Sequence, residues 1–224
     1  MTIGFRILPS PPAPSPELIA ALRQLAVANL SDSMHFTRAV SGALRPMHKG
    51  GVVLCGPALT VRVPPNDNLM VHKAVDMARP GEVIVVEAGG DLDVSVVGGI
   101  VTAYAASRAV GGFVIDGAVR DTAEISAGML PVYARGICAR GPRKEGPGEI
   151  NVPVVIGNVP VNPGDIVVGD QDGLVVVSLA DAQEVIERTR ALARREEETM
   201  QKIAAGTLDR AWIDQALRVK GCTM

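Results

Sequence analysis

Val83-Ile-Val-Val-Glu-Ala-Gly-Gly90 is an apolar run of strand length that ends on two glycines, and its reading decides the fold. Residues 95–109, rich in small side chains, then read as a helix. Gly111-Gly112 ends them, and Phe113-Val-Ile-Asp116 is the next strand. Strand, glycine break, helix and strand make a βαβ unit, which implies parallel pairing through a right-handed crossover. Upstream, Val52–Leu54 and Ala58–Val63 are expected as strands and 67–78 as a helix, with a turn at Pro80-Gly81. Ser15 and Pro16 read as the N-cap and first position of a helix whose Leu18, Leu22 and Leu25 share a face. Residues 31–50 read as a connecting segment. Downstream, Val152–Val155, Ile166–Val168 and Leu174–Val177 are expected strands, and 181–205 a long charged helix. The expected fold class is α/β, one layered α/β sandwich. Its expected limits are a Pro-rich leader over 1–16, the domain over 17–208 and a tail over 209–224.

Only 3% of the 224 residues are aromatic, so the core must be built from Val, Ala, Leu and Ile, as suits buried strands. A net charge of −2, with no run of cations interleaved with aromatics, argues against a nucleic-acid partner. Cys55, Cys138 and Cys222 are odd in number and far apart, which fits a reduced compartment rather than a disulfide framework. The first residues lack the apolar stretch of a signal peptide, and no run approaches the roughly 18 apolar residues of a membrane span. A cytoplasmic location and no membrane partner are the expectation.

For chemistry, several signatures are missing. His35, His48 and His72 lack metal-ligand spacing, and there is no nucleophile elbow or phosphate-binding glycine loop. Among the lysines only Lys73 lies in an apolar helical stretch, where a solvated helix face is the simpler reading. Asp116-Gly-Ala-Val-Arg-Asp121 is different, because it directly follows a strand, where α/β folds place ligands. Arg120 offers a planar fork for a carboxylate, and Asp121 a hard oxygen for Mg²⁺. The competing reading is a turn closed by a local ion pair or helix cap. Gly98-Gly-Ile-Val101, at a helix start, reads either as an anion cradle or as close packing of helix on sheet. Gly169-Asp-Gln-Asp-Gly173 holds a DxD pattern, but Asp-Gly after a strand reads first as a hairpin turn.

Together these residues resemble the RraA-like family, which includes the class II 4-hydroxy-4-methyl-2-oxoglutarate / 4-carboxy-4-hydroxy-2-oxoadipate aldolases. The resemblance runs from about Leu25 to Leu208 and is carried by nine short motifs. The first four are Ala28-Asn-Leu-Ser-Asp32, Gly56-Pro-Ala-Leu-Thr60, Asp67-Asn68 and Arg79-Pro-Gly81. The others are the Asp116–Asp121 stretch, Pro131-Val132, Pro147-Gly-Glu149, Asn162-Pro-Gly-Asp165 and Gly169–Gly173.

The resemblance implies a fold like the swivelling phosphohistidine domain, assembled as homotrimers or hexamers with sites between subunits. It implies that Arg120 and Asp121 are catalytic, Arg120 binding the substrate carboxylate and enolate and Asp121 ligating Mg²⁺ or Mn²⁺. The family's substrate-binding tetrad starts 22 positions before the arginine, which lands on Gly98, Gly99, Ile100 and Val101. The implied reaction is metal-dependent cleavage of a 2-oxo acid to pyruvate, by aldol cleavage or oxaloacetate decarboxylation. One departure stands out: Gly99 occupies the place of the family's usual acidic residue, and Asp91 and Asp93 are nearby but not at the matching position. The aldolases also draw a glutamate from a neighbouring subunit, for which Glu196, Glu197 and Glu198 are candidates. The rival from another class is a non-catalytic regulator that binds a protein such as an RNase.

Overall fold

Val83–Glu87 and Gly112–Val119 lie side by side and parallel in the computed structural model, which describes residues 2–223. In chain order the first elements are β1 (Phe5–Ile7), α1 (Pro16–Arg23), α2 (Val27–Ser33), β2 (Arg45–Pro46), β3 (Leu54–Arg62) and α3 (Leu69–Met77). Next come β4 (Val83–Glu87), β5 (Ser95–Val97), α4 (Gly99–Ser107), β6 (Gly112–Val119), α5 (Thr122–Ala127) and β7 (Val132–Ile137). The last are β8 (Gly148–Ile150), β9 (Val154–Ile156), β10 (Val159–Val161), β11 (Ile166–Asp170), β12 (Gly173–Val177), α6 (Ala182–Ala204) and α7 (Ala211–Val219).

The main sheet runs β1-β8-β3-β4-β6-β7-β2. Its central strands β3, β4, β6 and β7 are parallel, while β8 and β2 pair antiparallel to β3 and β7. The first half of β3 pairs with β11, which forms a hairpin with β12.

Alternation along β4 explains why its sequence is uniformly apolar. Ile84 and Val86 face a core with Val71 and Ala74 of α3, Ala105 of α4 and Ile125 of α5. Val83 and Val85 face the opposite core, which the β9–β10 hairpin covers with Val154, Ile156, Val159 and Val161. A strand buried on both faces loses its polar alternation. A third cluster packs Leu22, Leu30, Val185 and Ile186 of the α1, α2 and α6 helices on Ile166, Val168, Val175 and Val177.

The α/β class is as expected, and four local readings change. Residues 95–109 are not one helix: Ser95–Val97 is a buried strand pairing with the end of β6, and the helix starts only at Gly99. Val96 and Val97 suit a strand, and Gly98 has extended backbone that interrupts any helix before it. Strand β3 runs unbroken through Gly56-Pro57, because Pro57 lies where it changes partner from β11 to β4. Gly56 is needed there, since a Cβ would overlap the Gly81 carbonyl oxygen. The expected leader also contributes β1, which pairs with β8, and Asn151 Nδ2 holds the chain beyond it by donating to the Leu8 carbonyl at 3.0 Å. Within 209–224, residues 211–219 are helical, and Met224 lies outside the described residues.

Candidate active site

Arg120 and Asp121 directly follow β6, at the carboxyl end of the parallel strands. Strand β5 ends beside them at Val97, which brings Gly98 and the start of α4 against the same point. Backbone bonds fix the approach. The Arg120 N–H donates to the Val97 carbonyl at 3.1 Å, and the Gly99 N–H donates to Asp121 Oδ2 at 2.8 Å. Asp121 has a left-handed backbone, φ 55° and ψ 44°, which aspartate tolerates better than most residues. Arg120 Nε stands 3.6 Å from Asp121 Oδ2, with the two side chains 41% and 38% exposed. Gly98 leaves the space for both: a Cβ there would overlap Asp121 Oδ2 and lie 2.9 Å from Arg120 Cγ.

A cavity of about 140 Å³ opens at this point, lined by Gly98, Ile100, Val101, Arg120 and Asp121 together with Asn68, His72 and Lys144. Three of the four tetrad positions, Gly98, Ile100 and Val101, line this cavity, and Gly99, which does not, donates its N–H to Asp121. Larger hollows lie elsewhere. One of about 560 Å³ between α1 and β3 is mostly apolar, and one of about 390 Å³ beside α6 already joins Arg188 to Glu184. Neither lies at the carboxyl ends of the parallel strands.

Other acids of the sequence motifs serve the scaffold. Asp116 pairs with Arg135 on β7, and its Oδ2 accepts from the Gly157 N–H at 3.4 Å. Asp170 caps the start of α2 by accepting from the Val27 N–H at 3.0 Å, so the DxD pattern is a hairpin turn in which the Asp170 carboxylate is structural. Asp91 and Asp93 do not line the cavity, and Asp91 accepts from the Asp93 N–H at 2.9 Å. Glu196 is engaged within its own chain by Asn29.

Among the described residues no group of three or more His, Cys, Asp or Glu gathers as a metal cage. Asp121 alone fits a different kind of site. Its bonds go to Oδ2, it is well exposed, and Mg²⁺ retains most of its waters when one or two carboxylates hold it.

A family model described as RraA-like (Aldolase/RraA) matches residues 27–176. The chain belongs to the RraA-like family. A Halalkalibacterium halodurans relative, provisionally named 4-hydroxy-4-methyl-2-oxoglutarate aldolase, is 36% identical over 174 residues, 78% of this chain and 82% of its own length. A Thermus thermophilus protein named 4-hydroxy-4-methyl-2-oxoglutarate aldolase is 34% identical over 57% of this chain and 77% of its own. The Thermus structure titled RNA-processing inhibitor RraA superposes with a TM-score of 0.63 at 30% identity, covering 69% of this chain and 93% of that one. No described helix of this RraA-like chain is long and apolar enough to cross a membrane.

Reading the sequence of this RraA-like chain missed part of the cavity wall. Asn68 and His72 stand one turn apart on the cap and first turn of α3, but Lys144 comes from the loop before β8, and no local spacing connects it to them. Lys144 is exposed and flanked by charged residues and glycine, so its local sequence has no mark of a binding lysine. Gly99 itself is backed by Glu124, whose Cβ would lie 3.3 Å from a Cβ at that position. An acid at 99 would therefore require Glu124 to give by a few tenths of an ångström.

Burial, reinforced by the charge of Lys144 and opposed by Asp76, holds the His72 imidazole below the usual histidine value of 6.5. Folded protein is thus harder to protonate there than unfolded protein. The stability contributed by neutral His72 is complete above the unfolded value and is lost as pH falls through and below it. Urea melts at pH 7 and pH 5 are expected to show a smaller pH dependence in His72→Gln than in the wild type. Identical dependence in both would exclude His72 as a source.

Proposed function

We propose that this chain is a divalent-metal-dependent lyase of small 2-oxo acids. It releases pyruvate by aldol cleavage of 4-hydroxy-4-methyl-2-oxoglutarate-like substrates, by decarboxylation of oxaloacetate, or by both. The observation that carries the reading is convergence: a guanidinium, a helix start and one exposed carboxylate meet at a single small cavity. A 2-oxo acid presents a carboxylate beside a carbonyl oxygen, and the Arg120 fork matches the carboxylate bidentately. First-turn N–H groups of α4, those of Ile100 and Val101, have no carbonyl four residues back within the helix and favour an anion. Asp121 would hold Mg²⁺ or Mn²⁺, which when bound supplies Lewis-acid polarisation of the carbonyl. Either cleavage leaves negative charge on the enolate oxygen of pyruvate, and Arg120 provides a fixed positive charge for it.

Aldol cleavage also needs a proton removed from the distal hydroxyl, and decarboxylation does not. With glycine at 99, decarboxylation is expected to be the better-retained activity. The test is pyruvate release from oxaloacetate and from 4-hydroxy-4-methyl-2-oxoglutarate at fixed Mg²⁺, with and without EDTA. EDTA is expected to abolish both rates, and the ratio is expected to favour oxaloacetate relative to an aldolase with the acid intact. The same ratio as such an enzyme sinks the role given to Gly99.

The likeness to the Thermus RNA-processing inhibitor supports a second reading, a regulator that binds a protein such as an RNase. That reading expects no turnover with any divalent cation and partner binding that survives Arg120→Ala. Assembly into homotrimers or hexamers is proposed under either reading. It is supported by the exposed Met200, Ile203, Trp212 and Val219 on the second half of α6 and on α7.

A further inference from the structure

We propose that Lys144 selects dicarboxylate substrates by binding the carboxylate farthest from the 2-oxo group, and that Asp67 is the residue that positions it. This rests on the oxo-acid reading of the cavity given above. The cavity has two fixed cations, Arg120 and Lys144, against one carboxylate, Asp121. Arg120 and Asp121 stand together at 3.6 Å, whereas Lys144 makes no ion pair among the described residues. One positive charge is therefore left over for a second anionic group.

Size places that group. An apolar cavity of about 150 Å³ accommodates benzene, which has six heavy atoms. The 140 Å³ here accordingly suits a pyruvate-sized head, also of six heavy atoms. A second carboxylate would extend toward the open rim, where Lys144 is the exposed cation of the cavity wall.

The loop carrying Lys144 is held on both sides. Asp67 is 5% exposed, and its Oδ2 accepts from the N–H groups of Glu145 at 2.7 Å and Gly146 at 3.0 Å. Its Oδ1 accepts from the Leu69 N–H at 2.9 Å, tying the loop to the start of α3. On the other side the Asn68 N–H donates to the Arg143 carbonyl at 3.0 Å, and the Arg143 N–H to the Asn66 carbonyl at 2.9 Å. A buried carboxylate taking three backbone donors fixes a loop far more firmly than a solvated lysine requires.

The same wall has a second peculiarity. Asn68, 3% exposed, donates through Nδ2 to the Val96 carbonyl, but its Oδ1 is buried without a partner, as is Nε2 of His72. Buried polar groups in a purely structural wall are almost always paired. Two unpaired ones beside a free cation mark a surface completed by a polar ligand.

The experiment is steady-state kinetics of oxaloacetate decarboxylation with Mg²⁺, with pyruvate as competitive inhibitor, in Lys144→Ala, Lys144→Arg and Asp67→Asn. Lys144→Ala is expected to raise KM for oxaloacetate about ten-fold or more and to change kcat less than three-fold. The inhibition constant of pyruvate, which lacks the second carboxylate, is expected to stay within two-fold. Lys144→Arg should recover most of the KM, and Asp67→Asn should shift it in the same direction as alanine. Should Asp67→Asn fail to fold, the two Lys144 variants decide alone. An unchanged KM for oxaloacetate, or equal losses for oxaloacetate and pyruvate, would overturn the proposal. If the wild type neither turns over oxaloacetate nor binds pyruvate, the oxo-acid reading falls and takes this one with it, which is a distinct result.

Discussion

Arg120→Ala is expected to lower kcat/KM for pyruvate release by about a hundred-fold or more while leaving the fold intact. Removing one preorganised group that faces developing negative charge costs about 10²–10³ in rate. Arg120 is the closest fixed cation to the metal-holding carboxylate proposed here, at 3.6 Å. Its side chain is 41% exposed and that of its ion-pair partner Asp121 38%, so truncation strands no buried charge. As an ion pair with Asp121 it would contribute at most about 1 kcal/mol to stability, because both partners are well solvated. This separates the two readings of the Arg-Asp pair. A structural pair predicts a small loss of stability and unchanged turnover, whereas a site predicts unchanged stability and lost turnover. Arg120→Lys should recover only part of the rate, since an ammonium keeps the charge but loses the fork. Pyruvate-release kinetics beside thermal melts read both quantities, and wild-type kcat/KM in the alanine variant would place the chemistry elsewhere.

Gly98→Ala is expected to be as damaging to turnover as loss of Arg120, although it adds one methyl group and removes nothing. The backbone at Gly98 is extended, with φ −147°, so alanine meets no conformational strain there. The obstacle is space. The new Cβ would overlap Asp121 Oδ2 and lie 2.9 Å from Arg120 Cγ and 3.1 Å from its Nε. Asp121 is also held by the Gly99 N–H at 2.8 Å, so both site side chains must shift together. Overpacking of this kind costs about 1–3 kcal/mol of stability, and a misplacement near 1 Å costs about 10² in rate. Gly42→Ala is the control, since its Cβ would meet only Arg45 at 3.8 Å, and it should match the wild type in both measurements. Full activity in Gly98→Ala would mean that Asp121 and Arg120 need not occupy these positions.

Local pattern made some of this legible. The uniformly apolar β4 and the Ser15-Pro16 start of α1 carry their signals within a few residues, and Ser15 Oγ indeed accepts from the Leu18 N–H at 3.2 Å. The Arg120-Asp121 pair was visible because it follows a strand, and the position of Gly98 because its separation from Arg120 matches the family. Ser95–Val97 was misread because a run of small and apolar residues beside a helix has no period of its own. Its strand character comes from pairing with Ala118 and Val119.

The Arg120-Asp121 pair at the end of β6, the α/β class and the parallel β4–β6 pair were legible in the sequence, since each depends on neighbours along the chain. The opposite wall of the site was decided by the tertiary structure. Lys144 reaches the cavity because a buried carboxylate at Asp67, 77 residues earlier, binds the backbone beside it, and Asn68 and His72 arrive on α3 and its cap. Hydrogen bonds between distant segments leave no spacing to read, so the second cation that sets the charge of the pocket emerges only when the chain is folded.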